Sequence, residues 1–272
     1  MKNDSERRKQ IEEQDRKIDD NLSKIKYRAV VFSGKGGVGK TTVSVNLAYT
    51  LVQQGLDVGL LDADITGPNV SKMVGLEGMP VVTDDNKILP QVKDKLSIIS
   101  IAPMIPADQP VIWRGPLRSG TIAQFLADVF WGNLYVLLAD LPPGTGDEVL
   151  TTSQKMLPQI AIIVTTPQEV SLIDCRRAVN MAKKLNIKEI CVVENMAGLI
   201  CPYCNKEIDF FGTGGGEVMA NDMNVHFLGR IPMEKIGREC GDAGTPIVMK
   251  YPESKTSQAF YQISKKLRDL FK

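Results

Sequence analysis

Short apolar runs rich in β-branched residues alternate with longer amphipathic stretches over most of the chain. The first run covers residues 27–32, and further runs begin at residues 58, 96, 134, 160, 190 and 225. Runs this short and this apolar predict strands buried on both faces. The stretches between them predict helices near residues 43–51, 119–131, 147–156, 170–185, 215–222 and 254–271.

This alternation predicts an α/β fold, with a mostly parallel sheet covered by helices on both faces. Residues 77–95, rich in Asp, Lys and Pro, predict an excursion from the sheet such as a small hairpin. The 272 residues are 43% hydrophobic, enough for one large core. We therefore expect a charged extension over residues 1–25 and a single domain over residues 26–272.

The overall charge excludes some function classes. Thirty-three basic against 32 acidic residues leave a net charge of +1, which argues against a broad nucleic-acid surface. No apolar run reaches the ~18 residues of a membrane span, and the charged N-terminus lacks the apolar segment of a secretory signal. Five cysteines, an odd number, do not suggest a disulfide framework. We expect a cytoplasmic protein.

A glycine-rich loop, SGKGGVGKTT at residues 33–42, stands between the first predicted strand and helix and fits G-x-x-x-x-G-K-[ST]. Its backbone N–H groups can wrap a phosphate, and the helix N-terminus adds positive potential. Lys40 is expected to reach the β- and γ-phosphates, and the Thr41 hydroxyl to ligate Mg²⁺. The predicted site binds ATP through Gly34, Lys35, Gly36, Gly37, Val38, Gly39, Lys40, Thr41 and Thr42.

Lys35 is a second lysine in the loop, and Lys40 already serves the same phosphates. Lys35 is therefore either a solvated surface lysine or a lysine directed at the nucleotide of a facing subunit. The loop resembles the KGGxGK[ST] signature of the deviant Walker A family, which includes the nitrogenase iron protein, MinD and ParA. The resemblance implies an ATP-dependent homodimer in which Lys35 acts in trans.

Three carboxylates follow predicted strands. Asp62 and Asp64 come after the strand at 58–61, and Asp140 ends the run at 134–139. A carboxylate in such a place could hold water in line with the γ-phosphorus or serve a cation, although turn capping also explains Asp62 and Asp64. The resemblance implies that Asp64 orients water, that Asp62 supports the site and the metal shell, and that Asp140 holds Mg²⁺. Lys35, Lys40 and Asp64 are the candidate catalytic residues.

The candidate base-binding residues lie farther along the chain. Asn195 follows the strand at 190–193, and its amide can donate to and accept from adenine. It matches the adenine-contacting asparagine of the family, although asparagine also forms turns. Pro232 is expected to line the base with its apolar ring.

Residues 201–204 read CPYC, and thiolates at this spacing can chelate one metal centre. A redox dithiol and a zinc site are alternatives. Zinc and a [4Fe–4S] cluster each take four ligands, while this loop provides Cys201 and Cys204 alone. Cys175 and Cys191 are expected to be buried structural thiols, and Cys240 has no partner at ligand spacing. A two-fold dimer would supply four ligands.

The DLPPGTGD segment at 140–147 resembles one branch of that family, the Mrp-type proteins that carry iron–sulfur clusters. Segments 111–116, 211–216 and 229–233 extend the resemblance from about residue 26 onward. It implies an ATP-hydrolysing carrier whose [4Fe–4S] cluster bridges a homodimer and passes to apo iron–sulfur proteins. Other members have an N-terminal ferredoxin-like cysteine cluster or a separate small N-terminal domain; neither is found in these residues, so we expect no second cluster and no contacts from such a domain.

Two other functions compete with the carrier. A positioning ATPase of the MinD or ParA kind would use a C-terminal helix whose apolar face contains Phe260, Ile263, Leu267, Leu270 and Phe271. This face suits a membrane-surface helix and equally a terminal helix packed on its own sheet. A nitrogenase-like electron donor draws its cluster ligands from widely separated cysteines, an arrangement that this chain lacks.

Overall fold

The computed structural model describes residues 2–104, 115–204 and 206–271; for residues 2–8, 104, 115 and 116 it describes the backbone alone. The segment at 111–116, which contributes to the family resemblance, lies mostly outside the described residues.

The described strands form one sheet. Their bounds are β1 Ile25–Phe32, β2 Val58–Asp62, β3 Gln91–Lys93, β4 Leu96–Ile99, β5 Leu134–Asp140, β6 Ile160–Thr165, β7 Glu189–Ile200, β8 Glu207–Ile208 and β9 His226–Met233. The strand order is β3-β4-β2-β5-β1-β6-β7-β8, and β9 also pairs with β7. Only β3 and β8 among these strands pair antiparallel, so the predicted, mostly parallel α/β fold is confirmed.

Helices cover both faces of this sheet. They are α1 Lys2–Leu22, α2 Lys40–Gln53, α3 Val70–Val74, α4 Gly115–Asp128, α5 Asp147–Met156, α6 Glu169–Lys184, α7 Gly215–Asp222, α8 Lys235–Asp242, α9 Ile247–Lys250 and α10 Lys255–Asp269. Alternate β1 residues enter two cores: Val30 and Phe32 pack with α4 and α6, and Ala29 and Val31 pack with α2 and α10. Burial on both faces explains why the strands read as continuous apolar runs.

The charged extension is a helix that packs on the domain. Ile18 and Leu22 of α1 are buried, and the helix contacts α4 and α5. β1 then begins at Ile25, two residues before the predicted strand. The predicted excursion at 77–95 contains β3, which forms an antiparallel hairpin with β4.

The apolar face of α10 packs on β9 and α2. Phe260, Ile263 and Leu267 are at most 1% exposed, and Phe271 is also buried. The structure therefore favours the packed interpretation of this helix over a membrane-surface helix. No helix in the described ranges has both the length and the apolar character that crossing a membrane requires.

Candidate functional site

The phosphate loop lies over the carboxyl edge of the sheet. β1, β5 and β2 are neighbours there, and Asp140 is level with Val31 of β1 and with Asp62 of β2. The loop leaves β1 at Phe32 and enters α2 at Lys40. Parallel pairing therefore brings the predicted carboxylates and the predicted phosphate-binding lysine to one place.

Two glycines let the loop pass close to its neighbours. Gly39 precedes α2 with φ of 80°, and a Cβ there would overlap the Asn195 side-chain amide. A Cβ on Gly34 would overlap the Asp174 carbonyl of α6. Asn195 Nδ2 also donates to the Val38 carbonyl at 2.8 Å. The loop is thus held between α6 and the middle of β7.

Lys40 and Asp140 form the buried centre of the site. Lys40 Nζ lies 2.9 Å from Asp140 Oδ2 and 3.8 Å from Asp64 Oδ2. Thr41 Oγ1 donates to Asp140 Oδ2 at 2.7 Å, and Ser44 Oγ donates to Asp140 Oδ1 at 2.6 Å. The sequence analysis missed Ser44, although its spacing of three from Thr41 places both on one face of α2.

These oxygens suit a magnesium ion. Mg²⁺ prefers hard oxygen ligands and is held by one or two protein groups together with substrate phosphates. The Thr41 hydroxyl and the Asp140 carboxylate supply such ligands next to the phosphate loop. The residues present therefore fit the predicted metal, with Thr41 and Asp140 as its holders.

Asp62 lies beside this centre, but its carboxylate forms hydrogen bonds with residues other than Lys40 and Thr41. The fully buried carboxylate accepts from Ser100 Oγ at 2.9 Å and from the Val70 N–H at 3.3 Å. Burial, and then the charge of Asp140, raise the pKa of Asp62 to about 7. Its predicted part in the metal shell stays a prediction.

We predict a pH-dependent stability difference between the wild type and Asp62→Asn in nucleotide-free protein without magnesium. The pKa of Asp62 rises from 3.8 to about 7 on folding, so the native state binds the extra proton between these values. Wild-type stability therefore falls relative to the variant as pH rises from about 4 to about 7, by up to about 4 kcal/mol. Urea unfolding at a series of pH values measures the difference; a difference independent of pH would contradict the assignment.

Asp64 lines the cavity in front of the loop. Thr66 Oγ1 donates to its Oδ1 at 3.0 Å. Burial raises the pKa of Asp64, and the Lys40 ammonium opposes that rise. The carboxylate is thus oriented by a hydroxyl and a lysine at the place where the γ-phosphate of a bound nucleotide is expected.

The cavity itself has a volume of about 880 Å³, in the range of ligand pockets. One wall is largely apolar and comes from the second half of β7 and the end of β9, with Asn195 and Pro232 among its residues. A second part of the lining comes from α3 and α8, with the charged residues Lys72, Lys235, Arg238 and Asp242. The contribution of these helices was not predicted from the sequence, because short helices without a motif give no signal of where they pack.

Glu194 fixes the chain around Asn195. Its fully buried carboxylate accepts from Gly214 N–H at 2.9 Å and from Gly216 N–H at 2.5 Å, and Arg230 Nε lies 3.6 Å away. These bonds join the middle of β7 to the start of α7. Segment 211–216 is part of the family resemblance, but nothing in the sequence indicates that Glu194 is its hydrogen-bond partner.

The cysteine pair sits on a hairpin at the end of β7. Leu199 pairs with Ile208 of β8, and the Cys201 N–H donates to the Lys206 carbonyl at 2.9 Å. Cys201 is half-buried and Cys204 is exposed. The backbone N–H groups of the turn and the Cys204 thiol lower the pKa of Cys201. The turn therefore presents a thiol that is disposed to ionise, as metal ligation requires.

The remaining cysteines are buried thiols. Burial raises the pKa of Cys175 to about 12, and it raises the pKa values of Cys191 and Cys240 as well. None of the five cysteines forms a disulfide. Within the described ranges, no three His, Cys, Asp or Glu side chains come together as a metal site. One chain thus presents two thiols that are not buried, Cys201 and Cys204.

Comparison with known proteins places these features in context. The ParA family model described as NUBPL iron-transfer P-loop NTPase matches residues 24–268. An iron–sulfur cluster carrier protein of Methanocaldococcus jannaschii is 52% identical over 264 residues, covering 96% of this chain and 90% of that protein. A protein of the same description from Pyrococcus horikoshii is 48% identical, covering 93% and 89%.

Solved structures show the same architecture. A nucleotide-binding protein in complex with ADP from Archaeoglobus fulgidus is 36% identical with a TM-score of 0.78, covering 90% of this chain and 96% of that one. The septum site-determining protein MinD in complex with Mg-ADP from Pyrococcus horikoshii is 25% identical with a TM-score of 0.67, covering 90% and 97%.

Proposed function

Because the chain belongs to the NUBPL iron-transfer P-loop NTPase family, we propose that it is an ATP-hydrolysing carrier of a [4Fe–4S] cluster. The cluster is cargo, held between two copies of the chain and passed to apo iron–sulfur proteins. One observation carries the proposal: Pro202, which lies between Cys201 and Cys204 in the turn, lines the same cavity as the phosphate loop.

The cluster needs a second subunit. A [4Fe–4S] cluster takes four thiolates, and each chain offers the Cys201 and Cys204 thiols. A two-fold axis beside the turn brings two such pairs together. Since the other three cysteines are buried, none of them is available as a replacement ligand. Thiols free of disulfides also fit a reducing compartment such as the cytoplasm.

The nucleotide site supplies the ATPase chemistry. Lys40 and the loop N–H groups would hold the phosphates, and Thr41 and Asp140 would hold Mg²⁺, which would neutralise phosphate charge. Asp64 orients a water that attacks the γ-phosphorus while the bond to the bridging oxygen of ADP breaks. Lys35, whose side chain has no ion pair among the described residues, neutralises charge on the γ-phosphate of the facing subunit.

Transfer to an acceptor tests the proposal. Protein reconstituted with iron and sulfide under anaerobic conditions is mixed with an apo-enzyme whose activity requires a [4Fe–4S] cluster. We expect activity to return, and an iron chelator added at the same time should not prevent it. Activity that returns only when the chelator is absent would mean release of free iron and would argue against a carrier.

We predict that Lys40→Ala weakens ADP binding by more than a hundredfold. The change removes the buried cation that pairs with Asp140 at 2.9 Å and would pair with the phosphates. Charge-assisted bonds of this kind contribute together about 3 kcal/mol, which corresponds to that factor. Titration calorimetry measures the affinity, and thermal unfolding checks that the variant is folded. An affinity within tenfold of the wild type would contradict the role of Lys40.

We predict that Asp64→Asn slows ATP hydrolysis by about a hundredfold, at the low end of the effect of a positioned base. The amide preserves the contact with Thr66 but polarises water poorly. Nucleotide affinity should change by less than about threefold, because the contacts that bind the nucleotide before the reaction are retained. Single-turnover hydrolysis and ADP binding are the two measurements, and a parallel loss of both would assign Asp64 to binding instead.

A further inference from the structure

The nucleotide cavity extends beyond the phosphate loop to the foot of the cysteine hairpin. Leu199 and Ile200, the last two residues of β7, line it, and so does Pro202, which directly follows Cys201. The loop and Lys40 mark the phosphate end of the cavity. The hairpin residues thus form part of the wall available to the rest of a bound nucleotide.

The chemistry of that wall suits a nucleobase. The side of the cavity between β7 and β9 is apolar, and Leu199 pairs there with Met233 of β9, which also lines the cavity. The part of the lining that comes from α3 and α8 carries the charged residues Lys72, Lys235, Arg238 and Asp242. A flat, largely apolar base would bury apolar surface by packing on the wall between β7 and β9, which also contains Pro232.

The hairpin is joined to the nucleotide strand by an irregular stretch. The β7–β9 register shifts between Asn195 and Leu199. Within it, Met196 and Gly198 adopt φ of 58° and 82°, in the left-handed region. A bulge of this kind re-aims the residues that follow it. The hairpin direction is therefore set by a bulge that starts immediately after Asn195.

We propose that the base of a bound nucleotide packs against Leu199, Ile200 and Pro202, and that this contact covers Cys201 of the same chain. The inference uses the proposed nucleotide site but does not require a cluster. Pro202 is exposed in the structure, so a ligand that packs on it buries a surface adjoining Cys201. Nucleotide occupancy is then coupled to the cysteine turn within one subunit, and the coupling is reciprocal.

Maleimide labelling of metal-free protein tests the contact. A Cys204→Ser background leaves Cys201 as the one thiol that is not buried, since Cys175, Cys191 and Cys240 are buried. We expect saturating Mg-ADP to slow labelling of Cys201 by about fivefold or more, the low end of usual coupling between sites. Pyrophosphate, which has no base, should bind the loop and leave the labelling rate unchanged.

Two further variants identify the contact. Pro202→Gly removes the ring, so the slowing by ADP should drop below about twofold at a concentration that saturates the variant. Tyr203→Ala is the control: Tyr203 is 96% exposed and does not line the cavity, so the slowing should remain. Equal labelling with and without ADP, equal slowing by pyrophosphate, or equal slowing in Pro202→Gly would overturn the inference. Loss of cluster binding would refute the carrier role and leave this result unaffected.

Discussion

Lys35→Ala should lose ATP hydrolysis by about a thousandfold, the low end of the effect of a cation supplied in trans to a transferring phosphate. Nucleotide affinity should stay within about threefold, because Lys40 holds the phosphates in the same chain. Lys40→Ala is the matched comparison, since the same change five residues away should weaken binding. Of the two lysines, Lys35 is thus expected to act mainly in hydrolysis and Lys40 mainly in nucleotide binding.

Mixing two inactive variants distinguishes action in trans from action in cis. In a dimer of Lys35→Ala with Asp64→Asn, one site has Asp64 in its own chain and Lys35 from the partner. The other site lacks both. Random pairing makes half of the dimers mixed, so about one quarter of the wild-type rate should return. If the mixture stays inactive although the subunits exchange, Lys35 acts within its own chain and the dimeric active site is wrong.

Cys201→Ala and Cys204→Ala should each lower the iron bound after anaerobic reconstitution to less than about a tenth of the wild-type amount. Each change leaves two thiolates per dimer where the cluster takes four. The loss is large because the other three cysteines are buried and cannot substitute. The effect should be visible as loss of the cluster absorbance, while ADP affinity is unchanged.

Cys240→Ala is the control for the cysteine variants. It makes the same change at a buried thiol, away from the exposed turn, so the cluster should form as in the wild type. Full cluster binding by either Cys201→Ala or Cys204→Ala would show that the ligands lie elsewhere. Equal loss in all three variants would point to a general effect on folding.

Local patterns in the sequence identified much of the fold. Helices at residues 147–156 and 215–222 were found with those bounds, because amphipathic periodicity ends there at clear breaks. α1 was harder to interpret, since its many charges obscured Ile18 and Leu22, which are buried. The short helices α3 and α8 were missed, and they supply one wall of the cavity.

The site was predictable where one motif holds its residues together. Residues 33–39 form the loop between β1 and α2, and Asp140 contacts Lys40 and Thr41. What the sequence could not show is orientation between distant segments. Asp62 is level with Asp140 but bonds to Ser100, 38 residues farther along the chain, and Glu194 holds Gly214 and Gly216. Such contacts form only in the folded sheet, so no local sequence pattern predicts them.

The central claim is that two chains share one cluster through Cys201 and Cys204. Iron, acid-labile sulfide and zinc content of anaerobically purified protein, measured together with its mass in solution, tests this most directly. We expect about four irons and four sulfides per two chains, in a particle of twice the chain mass. Zinc in place of iron, or a full cluster in a particle of one chain, would contradict it.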